Sequence, residues 1–183
     1  MENSSSIAGC TIKFREDSIF LDPRNIELGA RIVTNLEKLY LSLKKLGLQS
    51  ADKNEYYKLS HEIGIPQKNT DKLQNKLFGI ECNFDELNAI DFKKGCYVGQ
   101  ENTARIKLKD RLNKRLLPIE VIQGDIENDI ITVEKDEIGK VLINDNYPYA
   151  LIKVKNEKFD FDKTFNCGSA KIKIMKPDWL QTT

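Results

Sequence analysis

The sequence predicts an α+β protein whose second part is a small β-barrel or β-sandwich. Three observations support this prediction: short β-leaning runs near the start, apolar residues at helical spacing in the middle, and five short apolar or alternating runs after residue 115. The 183 residues suffice for one medium domain or two small ones. We expect an α+β domain over residues 1–110 and a β domain over residues 111–183.

Three strands are predicted before residue 34. The runs Cys10–Phe14 and Ser18–Leu21 flank a charged break, a pattern that predicts a hairpin. After Asp22-Pro23-Arg24, which ends the second strand, the run Ala30–Val33 predicts a third.

Two helices follow. The first is indicated by a capping residue at Thr34 or Asn35, a stop at Gly47, and apolar residues at helical spacing, namely Leu36, Leu39, Tyr40, Leu43 and Leu46. The second is expected over Asp52–Glu62. It should bury three side chains, those of Tyr56, Leu59 and Ile63.

The middle of the chain gives weaker signals. Leu77–Asn83 fits a strand or a loop, and Asp85–Ile90 fits one short helical turn. Gln100–Arg111 fits either a helix or an extended segment, since its charges suit both.

Beyond Leu116 the pattern changes to short strands with turn residues between them. The five runs are LLPIEVI, DIITVE, EIGKVLI, PYALIKV and AKIKIM, which begin at residues 116, 129, 137, 148 and 170. Such regular spacing predicts a small barrel or sandwich, in which few strand edges stay exposed.

Charge is unevenly distributed along the chain. The net charge of +1 predicts neither nucleic-acid nor membrane binding, but residues 93–115 hold eight basic and two acidic residues. This basic belt, residues 93–115, fits a solvated face, an anionic small molecule or a weak RNA contact. Only one aromatic residue, Tyr97, lies within it, which disfavours stacking on nucleic-acid bases.

The cysteines and the chain start bear on metals and location. The four cysteines show no CxxC spacing and His61 is the sole histidine, so no metal site is expected. No apolar run approaches the roughly 18 residues of a membrane span, and the start lacks a basic-then-apolar secretion signal. We therefore expect a cytoplasmic protein with reduced thiols and no membrane contact.

The stretch KKGCYVGQENTAR, Lys93 to Arg105, holds the strongest candidate for chemistry. Gly95 and Gly99 allow a tight turn around Cys96, and the two preceding lysines favour its thiolate form. Free cysteine is also among the most buried residue types, so Cys96 fits a packed structural thiol as well. Residue chemistry alone leaves both interpretations open.

A family resemblance adds to this. The segment from Lys94 to Glu101, KGCYVGQE, resembles the signature of the YgfZ group of folate-binding proteins, relatives of the glycine-cleavage T-protein. Further segments in the same order are similar to that family, namely DPR at residues 22–24, LGAR at 28–31, GIP at 64–66, ECNFD at 81–85 and EIGKV at 137–141.

The resemblance implies a folate-binding α+β body followed by a terminal β-barrel. It also implies a role in assembling or maintaining iron–sulfur clusters, and thereby tRNA modification, with tetrahydrofolate bound. The partners would be folate and iron–sulfur proteins or their assembly machinery. By the resemblance, Cys96 is the functional thiol, Glu81 faces the pterin and Lys94 lies beside the folate channel. Tyr97 and Gln100 are the other cofactor-binding candidates.

The chain departs from this family in one respect. Members usually carry a substantial portion before the segment matching Asp22-Pro23-Arg24, whereas about twenty residues precede it here. The resemblance therefore implies a missing N-terminal half, which leaves three alternatives open: a fragment, a split protein whose other half is separate, or a truncated homologue. In each case we expect an exposed apolar face in the first module where that half would dock.

Two other functions stay open. One is a tetrahydrofolate-dependent aminomethyltransferase of the glycine-cleavage type, which would make the chain an enzyme. The other is a non-enzymatic module that contacts RNA or protein through the basic belt.

Overall fold

A computed structural model describes residues 8–14, 17–95, 100–108 and 112–180. It confirms the α+β class with a small C-terminal β-barrel. The chain divides into two compact units, residues 1–59 and 60–183. The predicted division into domains of residues 1–110 and 111–183 stays a prediction.

A three-stranded antiparallel sheet opens the first unit. Strands β1 (Thr11–Phe14), β2 (Asp17–Leu21) and β3 (Ala30–Val33) lie in sequence order, with a short 3-10 helix, Ile26–Leu28, before β3. The predicted hairpin and third strand are therefore confirmed.

A buried ion cluster holds the connection between β2 and β3. Asp22 is fully buried, and its carboxylate accepts hydrogen bonds from Arg24 Nε (2.9 Å), Arg24 Nη2 (2.7 Å) and Arg31 Nε (2.7 Å). Burial alone would raise the pKa of Asp22, but these guanidinium groups outweigh it and hold that pKa well below its usual range. The DPR motif and Arg31 therefore act together as a structural anchor.

Helix α1 (Leu36–Lys45) forms where its apolar spacing predicted. The Asn35 side chain caps it by accepting from the backbone N–H groups of Glu37 and Lys38, and Gly47 follows its end at a φ of 69°. No residue of α1 is buried, so the expected exposed apolar face is present in the first unit.

Helix α2 (Lys53–Glu62) is also confirmed, but its predicted burial is wrong in part. Ile63, just after the helix, is buried and Tyr56 is half-buried, whereas Leu59 is 38% exposed. Among the described residues of the first unit, Leu28 is the one buried apolar side chain, so Leu59 has no core to join there.

The second unit is built on a closed six-stranded antiparallel barrel, in the order β4-β7-β6-β5-β8-β9. Its strands are β4 (Lys114–Gln123), β5 (Ile130–Val133), β6 (Asp136–Ile143), β7 (Tyr149–Lys153), β8 (Thr164–Cys167) and β9 (Ala170–Ile174). Closure excludes the sandwich alternative. The five predicted runs are all strands, and β8 was missed.

Inward-facing residues of the strands fill the barrel. In β9, for example, Ala170, Ile172 and Ile174 are buried while the two lysines between them are exposed. Gly139 in β6 permits a close approach of β7, because a Cβ there would lie 2.7 Å from the carbonyl oxygen of Leu151.

Between α2 and the barrel, the described residues 63–95, 100–108 and 112–113 contain mostly turns, with one 3-10 helix at Thr70–Leu73 and helix α3 at Gln100–Leu108. Leu77–Asn83 is not a strand, which leaves the loop interpretation, and residues 79–88 form consecutive turns. Of the helix and the extended segment predicted for Gln100–Arg111, the helix is confirmed over Gln100–Leu108.

Candidate functional site

The predicted site residues fall into two groups. Cys96 and Tyr97 lie outside the described residues, as does Gly99. Gln100 is the first residue of α3, and only its backbone is described. Glu81 and Lys94 are described, Glu81 half-buried and Lys94 exposed. Their predicted roles stay predictions.

The loop Glu81–Glu86, here called the carboxylate loop, is fixed to the first half of β4. The backbone N–H of Leu116 donates to the carbonyl oxygen of Glu81 (2.8 Å), and Asn83 Nδ2 donates to the carbonyl oxygen of Leu116 (2.7 Å). β9 pairs with β4 only from Ile119 onward. The loop therefore supplies hydrogen bonds where that edge of β4 has no neighbouring strand.

Asn83 is the central residue of this attachment. Its side chain is buried, its backbone is left-handed with a φ of 61°, and its Oδ1 accepts from Arg115 Nη1 (3.0 Å). Asparagine tolerates this backbone region better than most residues and carries both a donor and an acceptor. The sequence motif ECNFD contained Asn83, but no sequence signal pointed to Arg115 as its partner.

The carboxylate of Glu81 is engaged locally. Its Oε2 accepts from the backbone N–H of Phe78 (3.0 Å), which closes the preceding turn. A contact of Glu81 with a pterin would therefore use the remaining lone pairs of a carboxylate already held in place.

Helix α3 is joined to the carboxylate loop by Lys107. The Nζ atom of Lys107 pairs with Asp85 and lies 4.1 Å from the ring centroid of Phe92. Since α3 begins four residues after Cys96, this contact attaches the C-terminal end of the helix that follows Cys96 in sequence to the carboxylate loop.

A cavity of about 810 Å³ opens beside this loop, within the second unit. Phe159, Phe161 and Trp179 contribute aromatic side chains to its lining, and Glu86, Lys107 and Arg115 contribute charged ones. Glu86 Oε1 pairs with Arg115, while Glu86 Oε2 is buried with no hydrogen-bond partner among the described residues. The lining thus combines aromatic surface with a few charged side chains, a combination typical of small-molecule sites.

Two other thiols are structural in character. Burial raises the pKa of the half-buried Cys82 thiol to about 11, and it also raises the pKa of Cys167, whose Sγ donates to the carbonyl oxygen of Asn128 (2.8 Å). Neither is suited to react as a thiolate near neutral pH.

His61 packs against the barrel. A ring nitrogen lies 3.0 Å from the carbonyl oxygen of Pro148, and the ring meets Tyr149 edge-on at 5.3 Å. Burial lowers the pKa of His61 below its ordinary value, so the neutral form is favoured.

Some side chains of the basic belt form ion pairs with other residues of the chain. Lys107 and Arg115 are engaged by the carboxylate loop, whereas Arg105 and Lys114 are exposed. Within the described ranges, no cluster of three histidine, cysteine, aspartate or glutamate residues is arranged to hold a metal ion. None of the described helices is long and apolar enough to cross a membrane.

The chain is similar in sequence to a group of proteins that are named as mitochondrial. No family model matches it. The chain is 34% identical over 112 residues to the iron-sulfur cluster assembly factor IBA57 homolog, mitochondrial, of Dictyostelium discoideum, covering 61% of this chain and 28% of the relative. The corresponding Mus musculus protein is 33% identical over 100 residues, covering 55% and 27%. That of Aspergillus oryzae is 32% identical over 126 residues, covering 67% and 26%.

The matched segment therefore spans about a quarter of the length of each of these relatives. Their names correct the expected location, because every one is described as mitochondrial. The prediction of a cytoplasmic location was wrong because it rested on the lack of the apolar run that is typical of a secretion signal. Mitochondrial targeting does not need such a run.

Proposed function

We propose that this chain takes part in iron–sulfur cluster assembly in the mitochondrion. The observation that supports the proposal is the 34% identity over 61% of the chain to a protein named as an iron–sulfur cluster assembly factor. The KGCYVGQE segment supports the finer assignment to the YgfZ group.

A chimera tests this function. The 112 matched residues of the Dictyostelium relative are replaced by the whole 183-residue chain, which includes Cys82 and Cys96, and the chimera is expressed in cells that lack the relative. We expect it to restore the activity of a mitochondrial iron–sulfur enzyme. The control lacks the matched segment altogether. A chimera that accumulates normally but restores no activity would overturn the proposal.

The proposed chemical group is the Cys96 thiolate. Thiolates are the protein ligands of iron–sulfur clusters, and the cluster would be cargo here. Lys93 and Lys94 precede Cys96 in sequence, and both side chains are exposed. The backbone at Lys93 is held by the Asp91 side chain, which accepts a hydrogen bond from the backbone N–H of Lys93 (2.8 Å). Nearby ammonium groups favour a thiolate, so Cys96 should react with iodoacetamide faster than a cysteine in an unstructured peptide.

We also propose that the cavity beside the carboxylate loop binds tetrahydrofolate. Its lining suits that ligand, since aromatic rings can pack against a pterin and the Glu86 carboxylate can accept hydrogen bonds from an amino-pyrimidine edge once its buried Oε2 turns toward the cavity. Lys107 and Arg115 could meet the carboxylates of the glutamate tail. When bound, tetrahydrofolate would supply a carrier for one-carbon groups.

The chain offers a direct probe for this ligand. Trp179 is the single tryptophan of the sequence and lines the cavity, so its fluorescence should change on titration with tetrahydrofolate. Glu86→Gln removes the carboxylate charge and replaces one acceptor oxygen by a donor, so it should weaken binding about tenfold, as expected for a lost charge-assisted hydrogen bond. Glu81→Gln is the matched comparison. If Glu81→Gln weakens binding more than Glu86→Gln does, the pterin contact belongs to Glu81, the residue indicated by the family resemblance. If the Trp179 fluorescence shows no saturable change with tetrahydrofolate, folate binding is refuted.

A further inference from the structure

One wall of the cavity is formed by a helix with little packing of its own. Helix α3 contributes Ile106 and Lys107 to the lining, whereas the rings of Phe159 and Trp179 belong to the part of the lining that follows the barrel strands. Among the α3 side chains that the structure describes, none is buried. The helix therefore borders the cavity without being anchored in a core.

Lys107 attaches this helix to the carboxylate loop. Its Nζ atom pairs with Oδ2 of Asp85 and lies 4.1 Å from the ring centroid of Phe92. The Lys107 side chain is 45% exposed and that of Asp85 is 30% exposed, so water and salt screen the pair. Such an ion pair and such a ring contact together slow the opening of a segment by only about three- to tenfold.

The other side of this attachment is held more firmly. In the carboxylate loop, Asn83 is buried and donates to the carbonyl oxygen of Leu116 in β4. Ile80 and Leu87, on either side of the loop centre, are also buried. When the contacts of Lys107 break, the loop therefore stays on the barrel and α3 is the element that moves.

We propose that α3 is a gate of the cavity, which opens when Lys107 leaves Asp85 and closes when the pair forms again. Opening takes Ile106 and Lys107 away from the lining, while the loop and the barrel stay in place. The cavity of about 810 Å³ has the size of a small-molecule site, so this movement changes the access of such a ligand. The role of the gate in ligand exchange rests on the ligand binding proposed above, whereas the movement itself does not. The measurements therefore use the ligand-free chain.

Hydrogen exchange of the α3 amides, followed on the millisecond timescale, measures the opening in the full 183-residue chain. Lys107→Met keeps the aliphatic stem and removes the ammonium group, so these amides should exchange about fivefold faster. Lys158→Met is the matched control, because Lys158 is 44% exposed and pairs with Glu134 and Asp136 at the β5–β6 turn. It should leave α3 exchange within about 1.5-fold of the wild type.

Two further measurements assign the effect to the ion pair. Salt screens exposed charges, so raising sodium chloride from about 0.02 M to about 0.5 M should accelerate α3 exchange about threefold in the wild type and leave Lys107→Met unchanged. Asp85→Asn removes the same pair from the other side and should also accelerate α3 exchange. Combining it with Lys107→Met should add nothing further, because the two changes remove one interaction.

Quenching of Trp179 fluorescence by acrylamide measures whether the movement opens the cavity. Trp179 is the single tryptophan of the sequence and lines the cavity, and its Nε1 is held by the carbonyl oxygen of Ile63. A change in quenching therefore reports the wall around the ring. The quenching constant should rise about 1.5-fold or more in Lys107→Met and stay at the wild-type value in Lys158→Met.

Three results would overturn the gate. Wild-type α3 amides that exchange as fast as those of an unfolded peptide would mean that no closed state exists. Equal exchange in the wild type and in Lys107→Met would mean that the pair does not hold the helix. Faster exchange without greater quenching of Trp179 would mean that the helix moves without opening the cavity. None of these measurements uses tetrahydrofolate, so a failure of folate binding is distinguished from a failure of the gate.

Discussion

Replacing Asn83 by alanine should strongly destabilise the barrel unit. The side chain makes two hydrogen bonds, to the Leu116 carbonyl (2.7 Å) and from Arg115 (3.0 Å), and the residue is buried. Leaving the buried carbonyl without a donor costs about 1–3 kcal/mol, and loss of the Arg115 contact costs about 1 kcal/mol.

The backbone adds a further cost. At a φ of 61°, a residue with a Cβ and no compensating side-chain hydrogen bond is disfavoured by about 1 kcal/mol or more. The free energy of unfolding should therefore fall by about 3–5 kcal/mol in Asn83→Ala. Asn83→Gly removes the same hydrogen bonds but accepts the backbone angle, so it should cost about 1 kcal/mol less than alanine.

Urea unfolding followed by Trp179 fluorescence measures both variants. Trp179 suits this purpose because its Nε1 donates to the carbonyl oxygen of Ile63 (2.7 Å) in the same unit, so its environment changes when the unit unfolds. A loss below about 1 kcal/mol in Asn83→Ala would refute the role of the carboxylate loop as the hydrogen-bonding neighbour of β4. A larger loss in Asn83→Gly than in Asn83→Ala would refute the backbone argument.

Three further predictions concern the same unit. Gly64→Ala should lower stability by about 2–4 kcal/mol in urea unfolding, because φ is 84° and the new Cβ would overlap the ring of Pro177; a neutral result would mean that this ring moves freely. Gly139→Ala should cost a similar amount, about 2–4 kcal/mol, since its Cβ would press on the Leu151 carbonyl; an unchanged melting temperature would contradict that close approach. The depressed pKa of His61 means that the unfolded state takes up a proton more readily than the folded state. Its stabilising contribution should therefore be present above pH 6.5 and decline as the pH falls below that value; urea titrations should show this slope in the wild type, and an equal slope in His61→Gln would exclude His61 as its source.

Local patterns predicted much of the fold. The hairpin, the Asn35 cap and the strands of the barrel follow from spacing and turn residues within a few positions. β8 was missed because Thr164–Cys167 has only four residues and lies next to a polar segment. Its pairing with β5 and β9 is set by closure of the barrel, which no local window contains.

Burial was harder to predict than secondary structure. The apolar residues of α1 have the spacing of a core-facing helix, yet Leu39 and Leu43 are only half-buried and the others, Leu36, Tyr40 and Leu46, are exposed. Periodicity reports which face is apolar, while exposure depends on what packs there. The predicted burial of Leu59 on α2 was wrong for the same reason.

The candidate site was predicted only in part. Glu81 and Cys96 were singled out by resemblance, and Cys96 lies outside the described residues. Arg115, Lys107 and Glu86 come together through long-range contacts that join the carboxylate loop to β4 and α3. Their spacing in the sequence carries no signal of this arrangement.

The most direct test of the proposed function compares two cysteines in the chimeric relative. Iron–sulfur enzyme activity is measured in cells that carry the chimera with Cys96→Ala or with Cys82→Ala. The proposal predicts that activity is lost with Cys96→Ala and retained with Cys82→Ala, since burial keeps the Cys82 thiol protonated. Full activity with Cys96→Ala would contradict it.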